Sequence, residues 1–434
     1  MKLIIIGGGF AGLKLTRELN NIAGIDILLL DKLTFHQFQP LFYQVATASI
    51  EATNTSFPLR KIFQHSKNVR IRITEVLEII PEKNMVISDN SEYSYDRLII
   101  ATGTETNFFG NQQIKSLAFP MKSTLEALRL MNRIINNFED ALDLTNRADQ
   151  ETIMSIAIVG AGPTGVELAG ALAEMKKNIL PNDYPDLNLN LMNIYLLDHS
   201  SRPLAAMSER SGQDAKNYLE EMGVILKLGT GVLEFNGHEL LLDDGNLLHV
   251  KTVIWAAGVK GVLPKGIEPE SMARGNRIKV DRFNNVLKYW NICAIGDIAY
   301  METPLYPKGH PQLASVAGSQ AKHLAKNIKR LMNNQSMIPF EFVNRGVMAT
   351  IGKRKAVVDL TNPKMHIKGR LAWLIWMFLH LFLILGVKNK VQIFINWVYK
   401  YFTADQSLRL AQRIKGRTEE LEDIKPHKNS IPSV

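Results

Sequence analysis

Six glycines, spaced as Gly7-x-Gly9-x-x-Gly12 and Gly160-x-Gly162-x-x-Gly165, are the residues of this 434-residue chain whose spacing most directly implies chemistry. In such a set the first glycine permits a tight turn and the second lets main-chain N–H groups approach a pyrophosphate. The third lets a helix start close against a strand. The chemistry is the holding of a dinucleotide by main-chain donors and a helix N-terminus, with no charged side chain required. Asp31 follows Gly12 by 19 residues, about the spacing of a carboxylate that binds an adenosine ribose. Asp198 follows Gly165 by 33, and the Pro181-Asn182-Asp183-Tyr184-Pro185-Asp186 stretch supplies an insertion that accounts for the excess.

The elements that position these residues are legible around them. Apolar runs at 3–6 and 156–159 enter the two glycine sets as strands, and further apolar strands at 25–30 and 193–197 end at Asp31 and Asp198. Strand candidates at 69–73, 75–80 and 85–88 read as a meander. The segments ending at Ala101-Thr102-Gly103 and Ala256-Ala257-Gly258 echo each other, so the two halves read as variants of one design. Residues 123–147 read as a helical crossover, and the chain returns to its first unit through 292–295 and Gly296-Asp297. The predicted fold is α/β, two Rossmann-like dinucleotide-binding domains with a C-terminal helical region. Its parts are 1–120 and 263–335 (flavin unit), 121–262 (nicotinamide unit) and 336–434, with a disordered tract at 425–434. Two dinucleotides in one chain imply electrons passing from a nicotinamide to a flavin. The flavin does that chemistry while the protein supplies position and electrostatics, so no protein nucleophile or metal is expected.

Composition removes several classes. Cys293, the single cysteine, excludes intrachain disulfides, four-cysteine metal sites and electron transfer through a cysteine pair, and it reads as a small core residue. The net charge of +9 is concentrated: between 360 and 404 there are six Lys or Arg and no Asp or Glu. That stretch is also apolar and holds three of the five tryptophans, which suits an anionic membrane surface and sets nucleic acid aside. Residues 371–387 form an apolar run of 17 interrupted by His380, at the lower limit for a spanning helix. Lys388, Gln392, Asn396 and Lys400 then recur every four residues. Two helices lying in the interface fit this pattern better than one span. No export or transit segment precedes Lys2, so a cytoplasmic location is expected.

Three segments give a specific resemblance. Phe35-His36-Gln37-Phe38-Gln39-Pro40-Leu41-Phe42-Tyr43-Gln44-Val45-Ala46-Thr47-Ala48 resembles the flavin-proximal segment of type II NADH dehydrogenases, single-subunit NADH:quinone oxidoreductases that pump no protons. The run from Gly160 to Gly170, with Glu167, is similar to their NADH-binding loop, and 369–402 to their membrane-docking region. The resemblance implies non-covalent FAD held at Gly7, Gly9, Gly12, Asp31, Val76, Thr102, Gly103, Asp297 and Ala314. It implies NADH at Gly160, Gly162, Gly165, Glu167, Asp198 and Gly258. It further implies a membrane quinone, peripheral attachment through 364–402 on the cytoplasmic face, and a second copy of the chain as partner.

Glu167 is the one side chain expected to act at the reacting centre, the other reading being a glutamate favoured by the dipole in a helix's first turn. Asp198 favours NADH over NADPH, with Arg202 nearby as the residue that could shelter a 2′-phosphate. At the quinone end the chain departs from its relatives. Their Ala-Gln-x-x-x-Gln pattern reads Ala314-Ser315-Val316-Ala317-Gly318-Ser319 here, with Gln320 alongside. Gln44, Ser315, Ser319 and Gln320 are the quinone candidates. The two serines keep open a non-quinone acceptor or a redox-sensing flavoprotein.

Overall fold

The computed structural model describes residues 1–403; the tail at 425–434 lies outside the described residues. Two five-stranded parallel sheets carry the molecule. The first runs Ile292–Ala294, Arg97–Ile100, Lys2–Ile6, Asp26–Asp31, Val69–Ile73. The second runs Phe119–Pro120, Thr252–Trp255, Ile156–Val159, Ile194–Asp198, Ile225–Leu228. Both are covered on both faces, which is why their central strands are continuous apolar runs without alternation. In each the glycine-bearing strand is central, flanked by the strand that ends in the acid and the strand that ends in the small-residue turn.

The meander differs from its predicted membership. Val69–Ile73 pairs parallel with Asp26–Asp31 at the sheet edge, because Ile71 completes that sheet's buried face. The antiparallel meander is Val76–Ile80, Met85–Ser88 and Glu92–Ser94. A matching one, Val232–Phe235, Glu239–Leu242 and Leu247–His249, occupies the second half. The crossover helix Thr124–Leu142 starts at a capping box between Ser123 and Glu126. Asn137 pins it to the second sheet by donating to Thr252 Oγ1 at 2.9 Å. Cys293 is buried in its strand, where burial pushes its thiol up, as a core residue should be.

The C-terminal region does not begin with helices. A three-stranded antiparallel sheet, Gly346–Gly352, Lys355–Thr361 and Lys364–Lys368, comes first. It lies against helix Pro163–Asn178 so closely that a Cβ on Gly170 would stand 1.9 Å from the Ile351 carbonyl oxygen. Helices Gly369–Leu383 and Val387–Thr403 follow. Trp376, Met377, Ile393 and Trp397 anchor them in the main core. The polar stripe winds inward along its helix: Lys388 is exposed, Gln392 and Asn396 are half-buried, and Lys400 pairs with Glu174 at 3.2 Å, while on the inner face Trp397 is buried and Asn389 donates to Thr53 O at 3.1 Å. Outward stand Phe378, Phe382, Val391, Ile395, Val398 and Phe402, all exposed. Among the described residues no helix is long and apolar enough to cross a membrane.

Candidate functional site

The two glycine cradles are built alike. Gly7 and Gly160 have φ of +103° and +111°, the left-handed side that only glycine adopts without strain. A Cβ on Gly12 or Gly165 would stand 1.8 Å from the carbonyl oxygen of Gly7 or Gly160, so each helix starts directly against its strand. Gly9 and Gly162, the N-caps of helices Phe10–Glu18 and Pro163–Asn178, face open space, with nothing within 4 Å of an added Cβ. That space, ringed by main-chain donors at a helix N-terminus, fits a pyrophosphate.

The acids repeat the correspondence. Gly8 N and Leu33 N donate to the two Asp31 oxygens at 2.5 and 2.7 Å. Ala161 N and Ser200 N donate to those of Asp198 at 2.6 and 2.7 Å. The unequal sequence spacings therefore lead to one geometry. Burial pushes the Asp31 carboxyl above its ordinary value, against the pull of the Gly8 and Leu33 amides. Arg202 is spent elsewhere: its guanidinium donates to the carbonyl oxygens of Ala205, Met207 and Ser208 at 3.0, 3.0 and 3.1 Å.

Around the first cradle, the Thr102 hydroxyl donates to Val262 O, Gly103 turns with φ +69°, and Val76 is half-buried at the start of its meander. Asp297 sits beyond Gly296, where burial raises its carboxyl against the pull of Lys122 and Arg277. Lys122, which sequence reasoning missed, donates to Thr104 Oγ1 at 3.0 Å and Gln39 Oε1 at 3.3 Å, and Thr104 Oγ1 donates to Asp297 at 3.4 Å. Ala314 and Ser315 open helix Ala314–Met332 on its exposed side, with Ser319 half-buried one turn on. Gln320 is buried, its Oε1 accepting from Gly296 N at 2.8 Å. It holds the Asp297 loop.

A second concavity, about 530 Å³ including its open mouth, lies where helix Phe42–Ala46, helix Pro163–Asn178, the C-terminal sheet and both C-terminal helices meet. Tyr43, Gln44, Glu167, Glu174, Trp376 and Lys400 line it. It brings Gln44 and Glu167 together, and neither Ser315, Ser319 nor Gln320 is in its wall. Gln44 is fixed at both ends: Nε2 donates to Tyr43 Oη and Oε1 accepts from Trp397 Nε1, each at 2.8 Å.

Glu167 is the fifth residue of its helix, past the first turn expected for it, because the helix begins at Pro163. There it is half-buried in the pocket wall, and burial pushes its carboxyl up to about 8. The Thr350 amide, 3.4 Å away, and the Trp376 indole N–H, whose geometry falls short of a full hydrogen bond, pull it down only in part. Two readable signals had pointed to the unrecognised wall. Glu174 lies two turns along the same helix face as Glu167, and Lys400 closes the inward stripe.

Known proteins resemble the chain over nearly its whole length. The family profile described as pyridine nucleotide-disulphide oxidoreductase matches residues 1–321, and that of the NDH2 C-terminal domain matches 344–404. The type II NADH:quinone oxidoreductase Ndh of Mycobacterium tuberculosis is 32% identical over 417 residues, 93% of this chain and 88% of that protein. A type II NADH:quinone oxidoreductase of Staphylococcus haemolyticus is 28% identical over 375 residues, 84% and 92% of the two chains. The structure of NDH2 from Plasmodium falciparum in complex with NADH has the same fold. Its TM-score is 0.86 at 19% identity, covering 93% of this chain and 99% of that one. A single buried cysteine leaves no disulphide chemistry of the broad family's name, whereas paired cradles and a matched C-terminal module run through the whole molecule. The chain therefore belongs to the pyridine nucleotide-disulphide oxidoreductases, among the type II NADH:quinone oxidoreductases.

Proposed function

We propose that this protein is an FAD-dependent NADH:quinone oxidoreductase that pumps no protons and works at a membrane surface. The observation that carries the reading is the repetition of one dinucleotide cradle in two sheets, joined to a pocket walled by helices whose outer face is apolar. Gly7, Gly9, Gly12 and Asp31 would hold the FAD pyrophosphate and adenosine ribose, with Val76, Thr102, Gly103, Asp297 and Ala314 along the rest of it. Gly160, Gly162, Gly165, Asp198 and Gly258 would hold NADH. FAD held there would supply hydride acceptance from NADH and two-electron delivery to a quinone, which takes up two protons to become the quinol.

The protein's own work is placement and proton control. Asp198 meets a ribose diol and repels a 2′-phosphate, and Arg202, locked onto main-chain carbonyls, cannot relieve that repulsion; both favour NADH. Glu167, its carboxyl pushed up to about 8 by burial, lines the pocket with Gln44, Glu174 and Lys400 among tyrosines and tryptophans. These features support the pocket as the quinone site, with Gln44 and Glu167 as its polar groups and Ser315 and Ser319 outside its wall. The helices at 369–403 carry no acidic residue, and their basic residues and apolar faces support peripheral attachment to an anionic membrane; the cytoplasmic face is part of this proposal.

Steady-state turnover of the purified holoenzyme tests this. NADH with a short-chain quinone should sustain many turnovers and NADPH should be a much poorer donor. A long-lived flavin–nicotinamide complex that no quinone discharges would instead favour a redox sensor.

A further inference from the structure

The loop joining the two dinucleotide units presents an aromatic ring that no step above uses. Strand Thr104–Thr106 of the flavin side pairs antiparallel with Val259–Gly261 of the nicotinamide side, so the two units meet along this seam. The chain then makes a turn at 107–111 that is held on every side but one. Asn107 N donates to Gly258 O at 3.0 Å, Trp255 Nε1 donates to Asn107 O at 2.8 Å, and Phe108 stacks on Trp255 with centroids 5.8 Å apart. Asn111 caps the next helix through Ile114 N and donates to Leu233 O.

Within this rigid frame Phe109 is anomalous twice over. Its φ is +51°, a region bulky side chains avoid. Its ring is 68% exposed although apolar core lies beside it. The strained backbone holds the ring against Gly258, where an added Cβ would come within 3.2 Å of Phe109 Cζ. Gly258 ends the run Ala256-Ala257-Gly258, and a Cβ on Gly160 would stand 2.6 Å from Ala256 C, so the ring stands at the far end of the short run that backs the Gly160–Gly162 cradle.

We infer that Phe109 is an aromatic wall of the NADH site, stacking on the nicotinamide half of the bound nucleotide. The half is identified by direction: the pyrophosphate sits at Gly162, and the nicotinamide must cross the seam at Gly258 toward the flavin. A ring fixed in advance loses little freedom when it stacks, and its π-face suits a planar heterocycle better than an aliphatic side chain would. The inference deepens the proposed NADH reading and rests on it.

The experiment uses FAD-loaded enzyme and titrates NAD⁺, with NADH kinetics in parallel. Phe109→Ala should weaken NAD⁺ binding about five- to tenfold and raise KM for NADH similarly. KM for quinone, FAD content and melting temperature should stay as in the parent. Phe109→Tyr and Phe109→Trp should restore affinity. Gly162→Val separates the two layers, since its Cβ fits the fold but enters the cradle. If Gly162→Val abolishes binding while Phe109→Ala leaves it unchanged, the wall is overturned and the cradle stands. If neither moves NAD⁺ affinity, both fall.

Discussion

At the scale of single residues, Glu167 carries the sharpest consequences. Its unfolded value is the ordinary 4.5 and its folded one about 8. As pH rises from 4.5 the unfolded chain sheds this proton first, so the group's contribution to stability falls steadily and levels off only above about 8. The loss is up to about 5 kcal/mol. Glu167→Gln removes it. Melting temperatures of parent and variant should therefore diverge between pH 5 and 9, with the variant gaining at the alkaline end; parallel curves would show that Glu167 is not buried as described. The same variant should slow reoxidation of the reduced flavin by a quinone at neutral pH by about tenfold or more, with reduction by NADH less affected, read by stopped-flow absorbance. Gly9 and Gly162 are the complementary case. Because neither has anything within 4 Å of a new Cβ, Gly9→Val should give folded protein without FAD, and Gly162→Val protein that keeps FAD but no longer oxidises NADH. These outcomes are checked by absorbance and by NADH turnover.

At the scale of elements, the sequence disclosed the parallel strands and the C-terminal helices but not the sheet that precedes those helices. Strands buried on both faces announce themselves as apolar runs bounded by glycines, so the cradles, Asp31 and Asp198 were all legible. The sheet at Gly346–Gly352 to Lys364–Lys368 was not, because its buried residues come in runs of three, covered by elements distant in sequence, and show no clean alternation. The stripe of Lys388, Gln392, Asn396 and Lys400 was visible, but its direction was not. Periodicity reports that a helix has two faces, and only the Glu174 partner and the Trp397 contact reveal that the polar one looks inward. Phe109 was invisible for the same reason, since nothing local marks an aromatic residue as strained and exposed.

Two tests belong to this scale. Gly170→Ala should push the C-terminal sheet off its helix and lower stability by about 3 kcal/mol, measured by denaturant unfolding. Truncating the chain at Gly369 would bare the core around Trp376 and Trp397, so membrane attachment is better probed from outside. Phe382, Ile395 and Phe402 are 76%, 57% and 80% exposed. Changing all three to Glu should cut binding to phosphatidylglycerol-containing vesicles about a thousandfold, while turnover with a soluble quinone persists. Undiminished vesicle binding would locate the attachment elsewhere.

At the scale of the whole molecule, one cradle design is used twice, and a module absent from either half closes the structure. That module ties the C-terminal helices to the nicotinamide unit. Lys368 and His366 donate to Asp214 at 2.8 and 2.9 Å, and His366 also meets Asp359 at 3.0 Å. Burial alone would raise the Asp214 carboxyl, but the Lys368 and His366 hydrogen bonds outweigh it and hold it low. A lowered acid contributes stability above its unfolded value and loses it as pH falls through the folded one, so this tie should loosen only in acid.

The central claim is a continuous electron path from NADH through the flavin to a quinone, and an anaerobic pair of half-reactions tests it most directly. FAD-loaded enzyme is mixed with one equivalent of NADH, then with a quinone, while the flavin absorbance band is followed. Fast bleaching and fast return are the predicted result, and they would show that the path is complete with serines at 315 and 319. Fast bleaching with no return would contradict the quinone half and direct the search to another acceptor.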